Sequence, residues 1–316
     1  MEDLATQSLR PPTGLQDPDS SHWWQHLTTV STPPLNGALG NFSYLCGLTP
    51  PTHEDELSRW RDIYKDGKAG PFDGIMVKTN PDVFPSHEGD TSRDIAIAIR
   101  ELAHFHERAG EEKGDKIALD MGCGNGALGL TIATLSTYSK VFAVDNHAPA
   151  TDNTRENIET RPEGEREKFS VHHSDMLRDV PHEITINGET SPLRFDLIVF
   201  NHPYYPREGT PEFGLGAEGG REIIERFFKE AEPFIHDETE IIMPYSSDVD
   251  AEHDPARIAD RLGFSVSVLR ERIDSAGVSH KVYRFCKSDL LTDTLPTTIV
   301  RENPRAEWAF VPTLAA

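Results

Sequence analysis

Long apolar runs are scarce in this sequence. A stretch such as Leu197-Ile198-Val199-Phe200 falls far short of the roughly 20 residues that a membrane-spanning helix requires. The first residues, Met1-Glu2-Asp3, lack the basic and then apolar pattern of a secretory signal, so a cytoplasmic location is expected. Cysteine is nearly absent. The 3 residues, Cys46, Cys123 and Cys286, are far apart and odd in number, so neither a disulfide framework nor a zinc site is expected. No metal is expected elsewhere, because His22 and His26, four apart around Trp23-Trp24, have no third ligand beside them. Basic side chains are outnumbered by 31 to 53, for a net charge of −22. Docking on phosphates calls for a basic stripe, so this balance makes a nucleic-acid partner unlikely.

Charge of either sign is missing from residues 20–53, which instead hold Trp23, Trp24, Phe42 and Tyr44 among Pro, Gly, Ser and Thr. Such a stretch cannot form a long amphipathic helix, yet it is too aromatic for a solvated tail; it reads as an irregular flap. Thr52 then offers an N-cap, Glu54 to Glu56 suit a first helical turn, and Leu57, Trp60, Ile63 and Tyr64 recur at helical spacing. A strand at 74–77 and a helix at 91–108 follow. Beyond Gly114, short apolar runs at 116–121, 140–145, 169–173, 195–200 and 240–244 alternate with helical patterns at 127–135, 149–159, 220–234 and 254–262. That alternation predicts an α/β fold with a mostly parallel sheet covered on both faces. Strands at 264–272 and 281–286, joined around Gly277, predict a closing antiparallel hairpin. Three regions result: an N-terminal extension, 1–70, with a flap and short helix serving as a substrate lid; a core, 71–287; and a tail, 288–316.

The chemistry-bearing motifs sit where strands end. Asp120-Met121-Gly122-Cys123-Gly124-Asn125-Gly126 leaves one strand and enters a helix, and glycines there let the backbone turn tightly and approach a ligand. Gly124, Gly126 and Gly129 also spell G-x-G-x-x-G, so the loop alone does not choose between a nicotinamide and another adenosine cofactor. Asp145 ends the next strand, 19 residues after Gly126 and followed by Asn146, near the spacing at which an acidic residue accepts ribose hydroxyls. Asp175-Met176 follows the third strand, where a carboxylate could accept an adenine amino group and the thioether could pack on the ring.

The fourth strand ends in Asn201-His202-Pro203-Tyr204-Tyr205. Here the chain resembles class I S-adenosylmethionine (SAM) methyltransferases that act on nitrogen, whose fourth strand ends in Asn/Asp-Pro-Pro-Tyr/Phe, and among them the HemK/PrmC-type glutamine methyltransferases. The likeness extends over residues 83–286 and includes Val83-Phe84-Pro85 and Asp90-Thr91 ahead of the core. It implies a Rossmann-like class I methyltransferase with a seven-stranded sheet and SAM as cofactor. Asp120, Gly122, Cys123, Gly124, Asn125, Gly126, Asp145, Asn146, Asp175, Met176 and Asn201 would line its site. Asn201 and the carbonyl of His202 would align the acceptor nitrogen, with Tyr204 stacked on it. His202 stands where the family has Pro and is a candidate base for a protonated amine; the doubled aromatic Tyr205 is a candidate second wall. The expected reaction is N-methylation of a small molecule, amino acid or peptide. The alternatives are a SAM-consuming cyclase or lyase that releases methylthioadenosine, and a protein glutamine methyltransferase.

Overall fold

Four consecutive apolar residues in strand β8 (Leu197–Phe200), all buried, mark it as interior to a parallel sheet rather than half-solvated. The computed structural model describes residues 68–86, 90–109, 116–186, 188–203, 220–287 and 297–301. The anticipated flap and the helix after Thr52 lie outside the described residues, as do His22, His26, Cys46, Tyr204 and Tyr205.

The main sheet runs β12-β10-β11-β9-β8-β3-β4-β5. Its strands are β3 (Lys116–Met121), β4 (Tyr138–Asp145), β5 (Phe169–His173), β8, β9 (Glu240–Ser246), β10 (Ser265–Ile273), β11 (Ser279–Cys286) and β12 (Thr298–Arg301). Strand β11 runs antiparallel to both of its neighbours, β9 and β10. The other pairings in this sheet are parallel; a one-turn helix α4 (Glu163–Arg166) precedes β5, and β6 (Glu183–Ile186) and β7 (Glu189–Pro192) form a separate antiparallel hairpin. The expected mostly parallel α/β sheet with its closing hairpin is therefore present, with an eighth strand in place of seven. β12 adds to β10 from within the segment read as a tail. Only four residues long, with Val300 buried and Ile299 exposed, it is too short to declare a period in sequence.

Side chains alternate between the two faces of the sheet. Leu119, Ile198, Phe200, Ile241 and Met243 join one core with helices α5 (Arg221–Ala231) and α6 (Pro255–Arg261). Ala118, Leu197, Val199 and Ile242 join the other, with α1 (Asp90–Ala109) and α2 (Ala127–Ala133). Buried charges fasten α1 to its surroundings. Asp94 accepts from Arg270 Nε at 2.8 Å and Arg272 Nε at 2.7 Å. Arg100 binds Asp73, and His106 Nε2 lies 2.7 Å from Glu240 Oε2. Removing one member of such a pair strands the other, at a cost of about 3–5 kcal/mol.

A hairpin of β1 (Lys68–Phe72) and β2 (Ile75–Thr79) precedes α1. Gly70 and Pro71 within β1 hide its strand character from a reading of propensity. Helix α3 (Ala148–Glu159) docks this hairpin through two asparagines one turn apart. Asn157 Oδ1 accepts from Lys78 N at 3.0 Å, while its Nδ2 donates to the carbonyls of Lys78 and Asn125 at 2.6 and 2.8 Å. Asn153 accepts from Asn80 N at 2.8 Å. Asn157→Ala removes these partners from one buried and two part-buried backbone groups and is expected to lower unfolding free energy by about 1–3 kcal/mol. Urea denaturation checks it; an unchanged midpoint would contradict the docking role.

Candidate functional site

Strand order reverses between β3, which leads to β4 on one side, and β8 on the other. Crevices at such a switch point, beyond the carboxyl ends of the strands, are where open α/β sheets take ligands. A cavity of about 300 Å³ opens there. It is lined by Asp120 near the end of β3 with Gly122, Cys123 and Gly124 after it, Asp145 at the end of β4 with Asn146 after it, Asp175 and Met176 after β5, and Phe200, Asn201 and Pro203 at the end of β8. Four separate segments, chosen in sequence by their position at strand ends, thus converge on one space.

The glycine loop needs its glycines for backbone conformation. Gly122, Gly124 and Gly126 have φ of +66°, +57° and +81°, the left-handed region that side chains disfavour. A Cβ on Gly122 would project toward the Phe200 ring at 3.4 Å, and one on Gly124 toward Ser86 Oγ at 3.6 Å. Phe200 and Ser86 are themselves walls of the cavity, so side chains here would fill the cradle. Asn125 and Gly126 are not among the lining residues. Asn125 is fully buried and ties the loop to the hairpin, with its Nδ2 donating to Thr79 Oγ1 at 2.9 Å and its Oδ1 accepting from Ala127 N at 3.2 Å. Gly126 faces Thr154, whose Cγ2 would stand 3.0 Å from an added Cβ.

Asp145 is held from both sides. Its Oδ2 accepts from Gly124 N and its Oδ1 from His147 N, each at 2.9 Å. Burial raises its pKa, opposed by these two N–H groups. Each carboxylate oxygen retains acceptor capacity, now with its orientation fixed. Asp120, 1% exposed, accepts from Gly129 N at 2.7 Å through Oδ2. Its pKa is pushed up to about 8, mainly by burial and further by Asp145, against the Gly129 N–H. The folded chain therefore keeps a proton on Asp120 that the unfolded chain, with an ordinary value of 3.8, has already released. The stability associated with that proton is complete below the unfolded value and is lost as pH rises through the folded one. Wild type is expected to lose thermal stability between roughly pH 4 and 8 relative to Asp120→Asn, whose curve lacks this component. Parallel melting curves for the two proteins would contradict the assignment.

At the third strand end, Asp175 pairs with Arg226 of α5 at 2.5 Å and with Arg178 at 3.0 Å. The adjacent Met176 is buried with φ of +53°, a conformation that costs a non-glycine residue of order 1–3 kcal/mol. Arg226 also lines the cavity. No sequence motif announced it, because its signal is one basic position on an amphipathic helix.

Asn201 follows β8, half-buried on the cavity wall, and its Nδ2 donates to Ser92 Oγ of α1 at 3.0 Å. His202 is turned into the interior. It is 1% exposed, its ring lies 5.6 Å from that of Phe200, and burial pushes its pKa down to about 3. The ring is neutral at physiological pH and is not among the residues lining the cavity. This position and basicity do not suit the general base for which the sequence makes His202 a candidate. Cys123 and Cys286 are buried free thiols.

The family model for the methyltransferase small domain matches residues 74–264, more than half of the chain. The tRNA1(Val) (adenine(37)-N6)-methyltransferase of Escherichia coli O1:K1 / APEC is 36% identical over 93 residues, 29% of this chain and 34% of that protein. The protein of the same name from Shigella flexneri serotype 5b (strain 8401) is 34% identical over the same shares of both chains. The match thus spans about a third of the length of these curated relatives. Among solved structures, precorrin-6y C5,15-methyltransferase from Geobacter metallireducens is similar with a TM-score of 0.42 and 12% identity, covering 67% of this chain and 94% of that one. The family-model match carries the family and not the HemK/PrmC type.

One expectation is overturned. Relatives named for action on tRNA share a stretch of this sequence, so the net charge of −22 does not make a nucleic-acid partner unlikely. Net charge sums the whole surface, whereas phosphate contact engages a local patch. Among the described residues no helix is long and apolar enough to cross a membrane. The strand order, the glycine loop after β3 and the matched span together assign the chain to the methyltransferase small domain family, enzymes of the class I, Rossmann-like kind whose methyl donor is SAM.

Proposed function

We propose that this enzyme methylates the exocyclic amino group of a nucleobase, with the N6 amine of adenine in RNA as the leading acceptor. The observation that carries this reading is Asn201 on the wall of the same cavity as the glycine loop and Asp145. An amide there can accept an N–H of a planar, neutral amine and set its nitrogen toward the donor. The name of the curated relatives, adenine N6-methyltransferases of tRNA, supports the acceptor class.

The residues present fit the cofactor: a cradle cleared by glycines, a fixed carboxylate for a diol, and apolar walls from Met176 and Phe200. SAM supplies an electrophilic methyl group on a sulfonium. Gly122 and Gly124 would bring backbone close to it, Asp145 would orient the ribose, and Asp175 with Met176 would serve the adenine. Asp120 would act on the amino-acid end through backbone or water. Asn201 and the carbonyl of His202 would accept from the acceptor amine, and stacking is the role assigned to Tyr204 and Tyr205 by the motif. An aromatic amine is unprotonated at neutral pH, so no base is needed before transfer, and the neutral, buried His202 ring is consistent with that. Alignment supplies most of the acceleration. In this reading the core, 71–287, binds the cofactor, and the segments 1–70 and 288–316 serve the acceptor.

The test is incubation of the full chain with methyl-labelled SAM and unmodified tRNA transcripts, followed by nucleoside mass spectrometry. Labelled N6-methyladenosine is expected. Methylthioadenosine as the main product, or label on protein alone, would overturn the proposal.

A further inference from the structure

Asn201 carries an amide whose two ends do opposite things, a carbonyl that accepts and an NH2 that donates. Only the carbonyl can receive an amine N–H, so productive alignment depends on which end faces the cavity. We propose that Ser92 is the positioning residue that holds the Asn201 side chain in place against α1 with its NH2 end turned from the acceptor, an inference that rests on the nucleobase-amine reading above. Its Oγ, 3.0 Å from Asn201 Nδ2, takes the donor end of the amide and leaves Oδ1 for the acceptor. Turned over, the amide would present a donor to a donor.

Ser92 is suited to this by where it stands. It is 1% exposed and absent from the cavity lining, so it acts through Asn201 rather than on the acceptor. It lies 109 residues away in sequence, in the first turn of a 20-residue helix. That helix is fixed by buried ion pairs from Asp94 to Arg270 and Arg272 and from Arg100 to Asp73. A hydroxyl on so constrained an element defines one position, which is what a near-attack alignment requires. The next residue, His202, points its ring inward and is not available for the same task.

The experiment uses the full chain labelled with 15N, with Asn201→Ala identifying the side-chain NH2 signals of Asn201. In wild type these two protons should be protected from exchange with water. In Ser92→Ala they should lose that protection. In the same variant kcat on unmodified tRNA transcripts should fall about tenfold to 10²-fold, with KM for SAM unchanged. Ser92→Thr, which keeps the hydroxyl, should recover both properties. Unchanged NH2 protection in Ser92→Ala, or altered protection with unchanged kcat, overturns the inference. Wild-type protein that leaves the transcripts unmethylated while its NH2 protection still depends on Ser92 contradicts the acceptor reading instead, and the positioning contact stands.

Discussion

Asn201→Ala is expected to lower turnover by about 10²-fold or more while affinity for SAM changes by less than about tenfold. The asymmetry follows from the geometry. The cofactor is proposed to rest on three other strand ends, whereas Asn201 is the one described side chain of the β8 corner that both lines the cavity and can accept an amine N–H. A factor of 10² corresponds to about 2.7 kcal/mol of transition-state alignment, a reasonable cost for losing one fixed acceptor. Single-turnover kinetics with saturating SAM, paired with titration calorimetry, separates the two effects. An Asn201→Ala protein that turns over at the wild-type rate would mean that the acceptor is held elsewhere.

Asp145→Ala should act on the other half of the reaction. It removes the proposed ribose acceptor and also leaves the N–H groups of Gly124 and His147, which Asp145 now receives at 2.9 Å, without that partner. Hydrogen bonds to charged groups contribute about 1.5–3 kcal/mol each, so loss of the ribose contacts together with relaxation of the glycine loop should weaken SAM binding by about 10²-fold. With SAM raised to saturation, kcat should recover most of its value, because Asp145 is assigned to the cofactor and not to the acceptor. Calorimetry showing unchanged affinity would remove the ribose assignment.

What the sequence discloses follows from the range of each signal. Strand β8 was visible as an apolar run, and Asp145 and the glycine loop by their place at strand ends, because parallel sheets bury whole strands and bind ligands at one edge. Hairpin strand β1 and edge strand β12 were not visible: one is interrupted by Gly70 and Pro71, the other is four residues long. Asn153 and Asn157 belong to no motif in the sequence, and only the fold shows that they meet the backbone of the hairpin. Ser92 was equally silent, since a contact across 109 residues leaves no local pattern. His202 shows the reverse failure. Its residue type suggested a base, and its burial, which no local pattern announces, makes it a very weak one. Total charge misled for a related reason, being a global sum applied to a local surface.

The central claim is that the cofactor spans the tips of β3, β4 and β5 with its reactive end toward Asn201. A crystal structure with S-adenosylhomocysteine tests it most directly. The ribose hydroxyls should bond to Asp145 and the sulfur should face the Asn201 side chain across the cavity; a nucleoside bound on any other surface, with this crevice vacant, would contradict the account.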